Sequence, residues 1–406
     1  MSAHPPPHPR LVVVAESPFI PTHGGGEREH LGFVEAGVAA GLVAALVVPV
    51  DPDPAAIGRE DDLEAIRRLV DPAPVITVPR QRSVRRALSP RYPYVVASRP
   101  APPDLVEQVR RAAPNADAVL VFAYKSHRLG RVLAEGLRLP VIVRFHNLEG
   151  RYHRALARAA APPRAWAVWL EALRVELDER LLERSRWLTG IADISAADAA
   201  VRARRARVPV SYVPSFALGT REAALDPQRT PSGQPTVVFL GALDVATNHD
   251  AVAWFAEHTW PLVRAAVPDC RWHVVGRRPT TQVRALVSRT AGAELYADVA
   301  EPASFLAGAD VSINPAVSGS GVNIMLVEYL AAGAPVVSTT RGSAGLGLTP
   351  GQDLLVADTP TEFAAAVGDL LTGRRDGAEL GAAGRASARQ ILDIQASLGR
   401  LLAMLE

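Results

Sequence analysis

Short runs of aliphatic and β-branched residues alternate with longer amphipathic stretches along almost the whole chain. In the first half the runs fall at 11–15 (LVVVA), 43–49, 75–78, 118–122 (AVLVF), 140–145 (PVIVRF), 188–191 and 209–213. In the second half they fall at 236–240 (TVVFL), 271–275, 293–296, 310–314 (DVSIN), 335–338 (PVVS) and 354–356. Runs this short, separated by helix-length segments, predict parallel strands joined by crossover helices. A run such as VVFL, apolar at every position, suits a sheet covered on both faces. The pattern also restarts: a strand, a turn and a helix open each half, and the stretch between the halves is polar and rich in Pro and Gly. The expected fold class is therefore α/β, with two doubly wound Rossmann-like domains. The first spans 1–214, a linker 215–234, the second 235–385. A helix over 386–406 is expected to pack back on the first domain. Two such domains facing each other form a cleft, and ligands lie at the carboxyl ends of the strands.

Composition narrows the class. The 406 residues are 48% apolar and 21% charged, which excludes a disordered chain. No apolar run reaches the roughly 18 residues of a membrane span, and MSAHPPPHPRLVVVAE lacks the plan of a secretory signal. Cys270 is the only cysteine, so an internal disulfide and a cysteine-held zinc are both excluded, and a reducing, cytoplasmic setting is expected. Residues 1–214 carry 30 basic against 23 acidic side chains, the remainder 14 against 19. The basic half admits an anionic ligand or peripheral contact with a lipid surface, against the blander reading of solvated charge. Lys125 is the sole lysine among 44 basic residues and follows the strand at 118–122. Coding bias toward arginine explains the scarcity; a compact ammonium kept near a ligand is the sharper reading.

Candidate chemistry concentrates after the strand at 310–314. The loop Ser318-Gly319-Ser320-Gly321 lets backbone approach a ligand, and a helix expected from Val322 offers free N–H groups and a positive dipole. Glu328, seven residues beyond Gly321, falls on the same helix face about two turns deeper. A lone acid among Ile324, Met325, Leu326, Val327, Tyr329 and Leu330 needs a partner. A ribose diol is one candidate and an internal arginine the other. No H-E-x-x-H, Walker A or G-x-S-x-G motif occurs. The clusters Arg80–Arg86 and Arg202–Arg207 have few interleaved aromatics, which argues against nucleic acid.

Asp310–Pro315, GSGVN, Glu328 and AAGAPVVST together resemble the nucleotide-sugar site of GT-B glycosyltransferases of the retaining family 4 type. VVFLGALDVATNHDAVAWFAEHTWP, WHVVGRRP, LYADVAEPASFLAGADVSINP and GLTPGQDLLVADTPTEFAAAV extend the likeness, as do the Gly-rich turn at 21–28, RFHNLEGRYHRALA and IADISAAD. The resemblance implies transfer of a sugar from a nucleoside-diphosphate sugar to an acceptor hydroxyl on a small molecule, glycan or lipid. Configuration would be retained, with no metal and no cofactor. It implies that Glu328 holds the donor ribose, that His146 lies against the sugar, and that Gly319, Ser320, Gly321, Val322 and Asn323 meet sugar and phosphate. Gly24, Gly25 and Gly26 would turn N–H groups toward acceptor and phosphate, with Asn147 beside His146. Ser195 and Asp198 read as a helix N-cap and first-turn acid.

Two positions depart from that pattern. Ser320 stands where the first glutamate of the E-x7-E motif falls, and Met325 where a lysine is common in a glycine-rich subgroup. The usual basic pair on the diphosphate is not recognisable, since Asn248 lies in its region. A departing diphosphate still needs positive charge, and Arg277, Arg278, Arg144 and Lys125 are the substitutes. A pseudo-glycosyltransferase, a nucleotide-sugar epimerase and a non-catalytic binding partner of the same fold stay open.

Overall fold

The structure, a computed structural model, describes residues 9–22, 25–51, 60–87, 89, 91–159, 165–216, 233–299, 301–318 and 322–406. The chain divides into two compact units, one of residues 1–219 with 393–406 and one of 220–392.

In the first unit the apolar runs form β1 (Leu11–Val14), β2 (Val43–Val50), β3 (Val75–Pro79), β4 (Ala118–Val121), β5 (Val141–Phe145), β6 (Gly190–Asp193) and β7 (Val210–Tyr212). They make one parallel sheet in the order β3-β2-β1-β4-β5-β6-β7. Strand period explains the uniform apolarity. Val12 and Val14 enter one core with Val119, Val121 and Val143, while Leu11 and Val13 enter the other with Leu46, Leu120 and Ile142. The helix Gly25–Ala39 contributes Phe33 and Val34 to the second core, and the C-terminal helix Ile394–Leu402 contributes Leu398 and Leu401.

The second unit repeats the plan with β8 (Thr236–Ala242), β9 (Arg271–Arg277), β10 (Ala293–Ala297), β11 (Val311–Asn314), β12 (Val336–Ser338) and β13 (Leu355–Val356). The order is β10-β9-β8-β11-β12-β13, again parallel. Gly241 and Gly276 pair across β8 and β9, and a Cβ on Gly276 would run into the Gly241 carbonyl, so glycine is required there. Helix starts follow capping chemistry. Thr359 and Glu362 form a capping box before Pro360–Leu371, and Ser195 accepts the Asp198 N–H at 3.2 Å, as its position predicts.

Three boundaries differ from expectation. The tail expected as one helix over 386–406 is two, because the Asp393 side chain caps a new helix by accepting the Ala396 N–H at 2.9 Å. Ser215 and Phe216, expected in the linker, are buried in the first unit, where both donate to the Glu29 carboxylate. The helix expected from Val322 begins at Ile324, with Asn323 as its N-cap.

Candidate functional site

In each unit the sheet order reverses at a central pair, β1/β4 in the first and β8/β11 in the second. Connections leave such a pair in opposite directions, which opens a crevice beyond the carboxyl ends. The polar residues that follow these strands are therefore the candidates in each unit.

In the second unit the crevice is built by a change of partner along β8. Asp310 N–H donates to Thr236 O at 3.0 Å, which puts alternate positions 236, 238 and 240 on the β11 side. Pairing of β8 with β11 is confined to Val237 and Val238, while β8 stays paired with β9 as far as Ala242. Leu240 would be left with an unpaired N–H and C=O. The Tyr329 hydroxyl fills the gap: it accepts from Leu240 N at 2.8 Å and donates to Leu240 O at 2.7 Å. Burial pushes its phenol above the ordinary range, so it stays protonated and can donate. Tyr329→Phe is expected to lower stability by about 1–3 kcal/mol by stranding both backbone groups. Urea unfolding checks this, and an unchanged midpoint would show that water replaces the hydroxyl.

Glu328, the neighbouring residue, is buried at 5% exposure in the second turn of the helix Ile324–Ala331. Asn323 caps that helix, accepting the Met325 N–H at 3.1 Å, and its amide donates to Asn314 Oδ1 at 2.8 Å. Asn314 in turn donates to Ser338 Oγ at 3.1 Å, and Thr339 Oγ1 donates to Ala316 O at 2.7 Å. A Cβ on Gly342 would sit 2.5 Å from Asn314 Nδ2, so this residue must be glycine for the lattice to close. These links fix the ends of β11 and β12 against the helix start. Ser318 Oγ ties the same loop to Asp250 at 2.7 Å.

The other expected donor residues are distributed more widely. Asn248 donates its amide to Ala242 O at 2.9 Å, closing the turn after β8. Arg277 ends β9 and is exposed; Arg278 follows at φ 52°, its guanidinium 2.9 Å from Asp244 and its N–H bonded to Asp298. Arg278 thus has a carboxylate partner while remaining 54% exposed. Val322 lies half-buried before the cap. Gly319, Ser320 and Gly321 lie outside the described residues.

In the first unit Glu16 follows β1 and Lys125 follows β4, so they meet at the reversal, Nζ to Oε1 at 2.5 Å. Buried Arg99 donates to the Glu16 carbonyl at 3.1 Å. Burial favours the neutral acid, but Lys125 and Arg99 outweigh it and hold the Glu16 carboxyl well below its usual range. For Lys125, likewise, burial is outweighed by Glu16, which raises the ammonium. His30, from the Gly25–Ala39 helix, lies against Glu16. The Glu16 N–H can only donate, so His30 Nε2 accepts it (3.2 Å) and Nδ1 carries the proton toward Gly26 O (2.7 Å).

His146 follows β5 and packs edge-on to His30 and Phe122, ring centroids 5.8 and 5.9 Å away. Burial, with His30 next, lowers it to about 4, so it is neutral at pH 7. Its Nε2 is buried without a hydrogen-bond partner among the described residues. Behind it, fully buried Arg202 donates to the Asn147 carbonyl at 3.2 Å and pairs with Glu179 and Asp193 at 2.9 and 3.0 Å and with Glu183. Glu179 also accepts the N–H groups of Glu149 and Gly150, at the start of the helix Glu149–Ala159. The loop carrying His146 and Asn147 is thereby fixed from below.

Arg144 requires a correction. Expected at a phosphate, it is fully buried inside the first unit, bonded to Glu29 at 2.5 and 2.9 Å and to Pro214 O at 2.7 Å, with Phe216 under its guanidinium at 4.8 Å. Its charge is matched internally. Gly25 and Gly26 open the helix of Glu29 and His30, with open space around Gly26; Gly24 lies outside the described residues. Glu16 and His30 were not anticipated, and Asn314 and Ser338 fell within the segments that carry the resemblance without being singled out. Three of the four occur at or just after strand ends, a position that alone marks them.

Residues 234–373 match the family model described as glycosyl transferases group 1. A phosphatidyl-myo-inositol mannosyltransferase of Mycobacterium tuberculosis is 33% identical over 141 residues, covering 34% of this chain and 36% of the relative. The chain thus matches about a third of that relative's length. Among solved structures, Anabaena HepE in complex with UDP and glucose superposes with a TM-score of 0.63 at 14% identity, covering 98% and 99% of the two chains. A sucrose-phosphate synthase from Thermosynechococcus elongatus gives 0.61 at 16% identity over 98% and 99%. Residues 234–373 therefore carry the glycosyl transferases group 1 signature, within a chain of the GT-B fold.

Proposed function

We propose that the protein is a glycosyltransferase that moves a sugar from a nucleoside-diphosphate sugar to an acceptor hydroxyl, retaining the anomeric configuration and using no metal. The observation that carries the reading is Glu328, an acid buried in the second turn of an otherwise apolar helix just past the β8/β11 reversal, within the matched segment. The mycobacterial mannosyltransferase and the HepE structures with UDP and UDP-glucose support a nucleotide-sugar donor.

In this reading the second unit holds the donor. Glu328 accepts the ribose hydroxyls, the helix N-terminus faces the diphosphate, and Arg277 and Arg278 supply positive charge. The bond from the anomeric carbon to the diphosphate oxygen breaks, and one to the acceptor oxygen forms on the same face. The acceptor's proton passes to the departing diphosphate. The first unit serves the acceptor. There His146, neutral at pH 7, offers a ring face to a sugar rather than a charge.

Calorimetric titration with UDP and GDP, followed by a nucleotide-sugar panel with and without acceptors, tests this. Nucleotide release only when acceptor is present is the expected result; an altered nucleotide sugar formed without acceptor would favour an epimerase, and free nucleotide without acceptor would mean hydrolysis. Glu328→Ala is expected to weaken nucleotide binding by about 1–3 kcal/mol, roughly 5- to 150-fold, through loss of charge-assisted hydrogen bonds. Unchanged affinity would remove the ribose assignment.

A further inference from the structure

Two helices follow β5, Glu149–Ala159 and Ala165–Glu183, and they pack on each other. The second is apolar on two opposite sides. Inward, Ala172, Val175 and Leu182 are buried, the latter two in the core of the first unit. Outward, Trp166, Leu170, Leu173, Leu177 and Leu181 are 71%, 52%, 55%, 63% and 66% exposed. Steps of three and four residues put these five side chains on one stripe, and exposed Leu156 of the neighbouring helix adds to the apolar surface. Every exposed large hydrophobic side chain among the first unit's described residues lies on these two helices. That concentration is a patch rather than scatter, and patches of this kind mark interaction surfaces.

The charges around it are one-sided. The acids of the two helices turn inward: Glu149, Asp178, Glu179 and Glu183 are buried, and Glu171 and Glu176 are half-buried. The exposed charged side chains on the helices and just beyond them are Arg151, Arg158, Arg180, Arg184 and Arg186. Glu176 offsets part of this through Arg154 and Arg180, at 3.0 and 2.6 Å. Among the described residues, neither helix presents an exposed acid.

We propose that this face docks on an anionic lipid surface. Trp166 and the leucines enter the boundary between headgroups and acyl chains, and the arginines meet lipid phosphates. A Trp/Leu stripe flanked by basic residues is the composition of a helix lying in the membrane interface. A second copy of the chain is a poorer occupant. A two-fold pairing sets the same patch against itself, which brings arginine to arginine with no exposed acid on either helix to answer it. The inference stands independently of the transfer chemistry.

Flotation of the full chain with vesicles of phosphatidylcholine, with and without about one-third phosphatidylglycerol, is the test. Wild type is expected to float with the anionic vesicles and to be released as salt is raised. Leu173→Ser with Leu177→Ser should lower partitioning by at least about tenfold. Arg180→Glu with Arg184→Glu should lower it comparably on anionic vesicles only. All four side chains are exposed, so circular dichroism and UDP affinity should match wild type. The proposal is overturned if wild type stays in solution with anionic vesicles, if the leucine variant floats like wild type, or if sedimentation shows a dimer that the leucine variant converts to monomer.

Discussion

Arg202→Ala is expected to remove about 3–5 kcal/mol of folding stability, a large share of what a domain of this size holds. The guanidinium is fully buried, stacks over Phe145 at 3.7 Å, and is the shared partner of Asp193, Glu179 and Glu183. Three buried acids already exceed the positive charge supplied by Arg202 and the half-buried Arg205. Burial, ahead of Arg202's opposing pull, pushes Asp193 up to about 6. Removing the arginine strands all three carboxyls and frees the Asn147 carbonyl, so the loop bearing His146 loosens as well. Lysine should not rescue, because one ammonium cannot reproduce the fork that serves several oxygens. Urea unfolding of the three proteins reads the effect. A midpoint within experimental error of wild type would mean the acids simply protonate and repack.

The second large effect is a dependence on pH centred on Glu149. Burial pushes its carboxyl up to about 8, with Lys125 opposing and Glu179 reinforcing. Unfolded, the same group titrates near ~4.3. Between those values the folded state binds the extra proton, so this group's contribution to stability is full below ~4.3, falls as pH rises to about 8, and is flat above. The span corresponds to a loss of order 3–5 kcal/mol. Glu149→Gln keeps the shape and abolishes the titration. Melting temperatures at pH 6 and pH 9 should therefore diverge for wild type and converge for the variant. His146 acts at the other end: its lowered value of about 4 makes the folded state resist protonation, so its contribution is lost as pH falls from about 6.5 toward 4. A wild-type profile flat from pH 6 to 9 would refute the assignment of Glu149.

The strands and their parallel arrangement were legible because period and apolarity are local signals. LVVVA and VVFL announce strands buried on both faces: the first feeds two cores from alternate residues, and Val237 and Phe239 of the second enter the core of their unit while Val238 and Leu240 are also buried. Ser195 as a cap was readable for the same reason. Asn323 and Asp393 carried equally local capping signals, outweighed by the apolar run at 322 and the helical tail. Ion pairing was not legible. Glu29 and Arg144 are 115 residues apart, and Glu16 and Lys125 are 109. Only the fold brings them together, which is why Arg144 was expected at a phosphate. The leucines of 165–183 carry no signal of their own exposure, because nothing in a sequence tells which of two apolar faces of a helix meets solvent.

Lys125 has one more consequence. As the chain's single lysine, it is the one side-chain target for amine-directed chemistry. It stands at the β1/β4 reversal, 30% exposed and bonded to Glu16. An acylating or reductively alkylating reagent would therefore tag one known side chain, besides the terminal α-amine, on a 43.2 kDa molecule. The rate of tagging would report whether that carboxylate still shields the amine. Peptide mapping separates that adduct from the terminal one, so the protein carries its own side-chain reporter at the reversal.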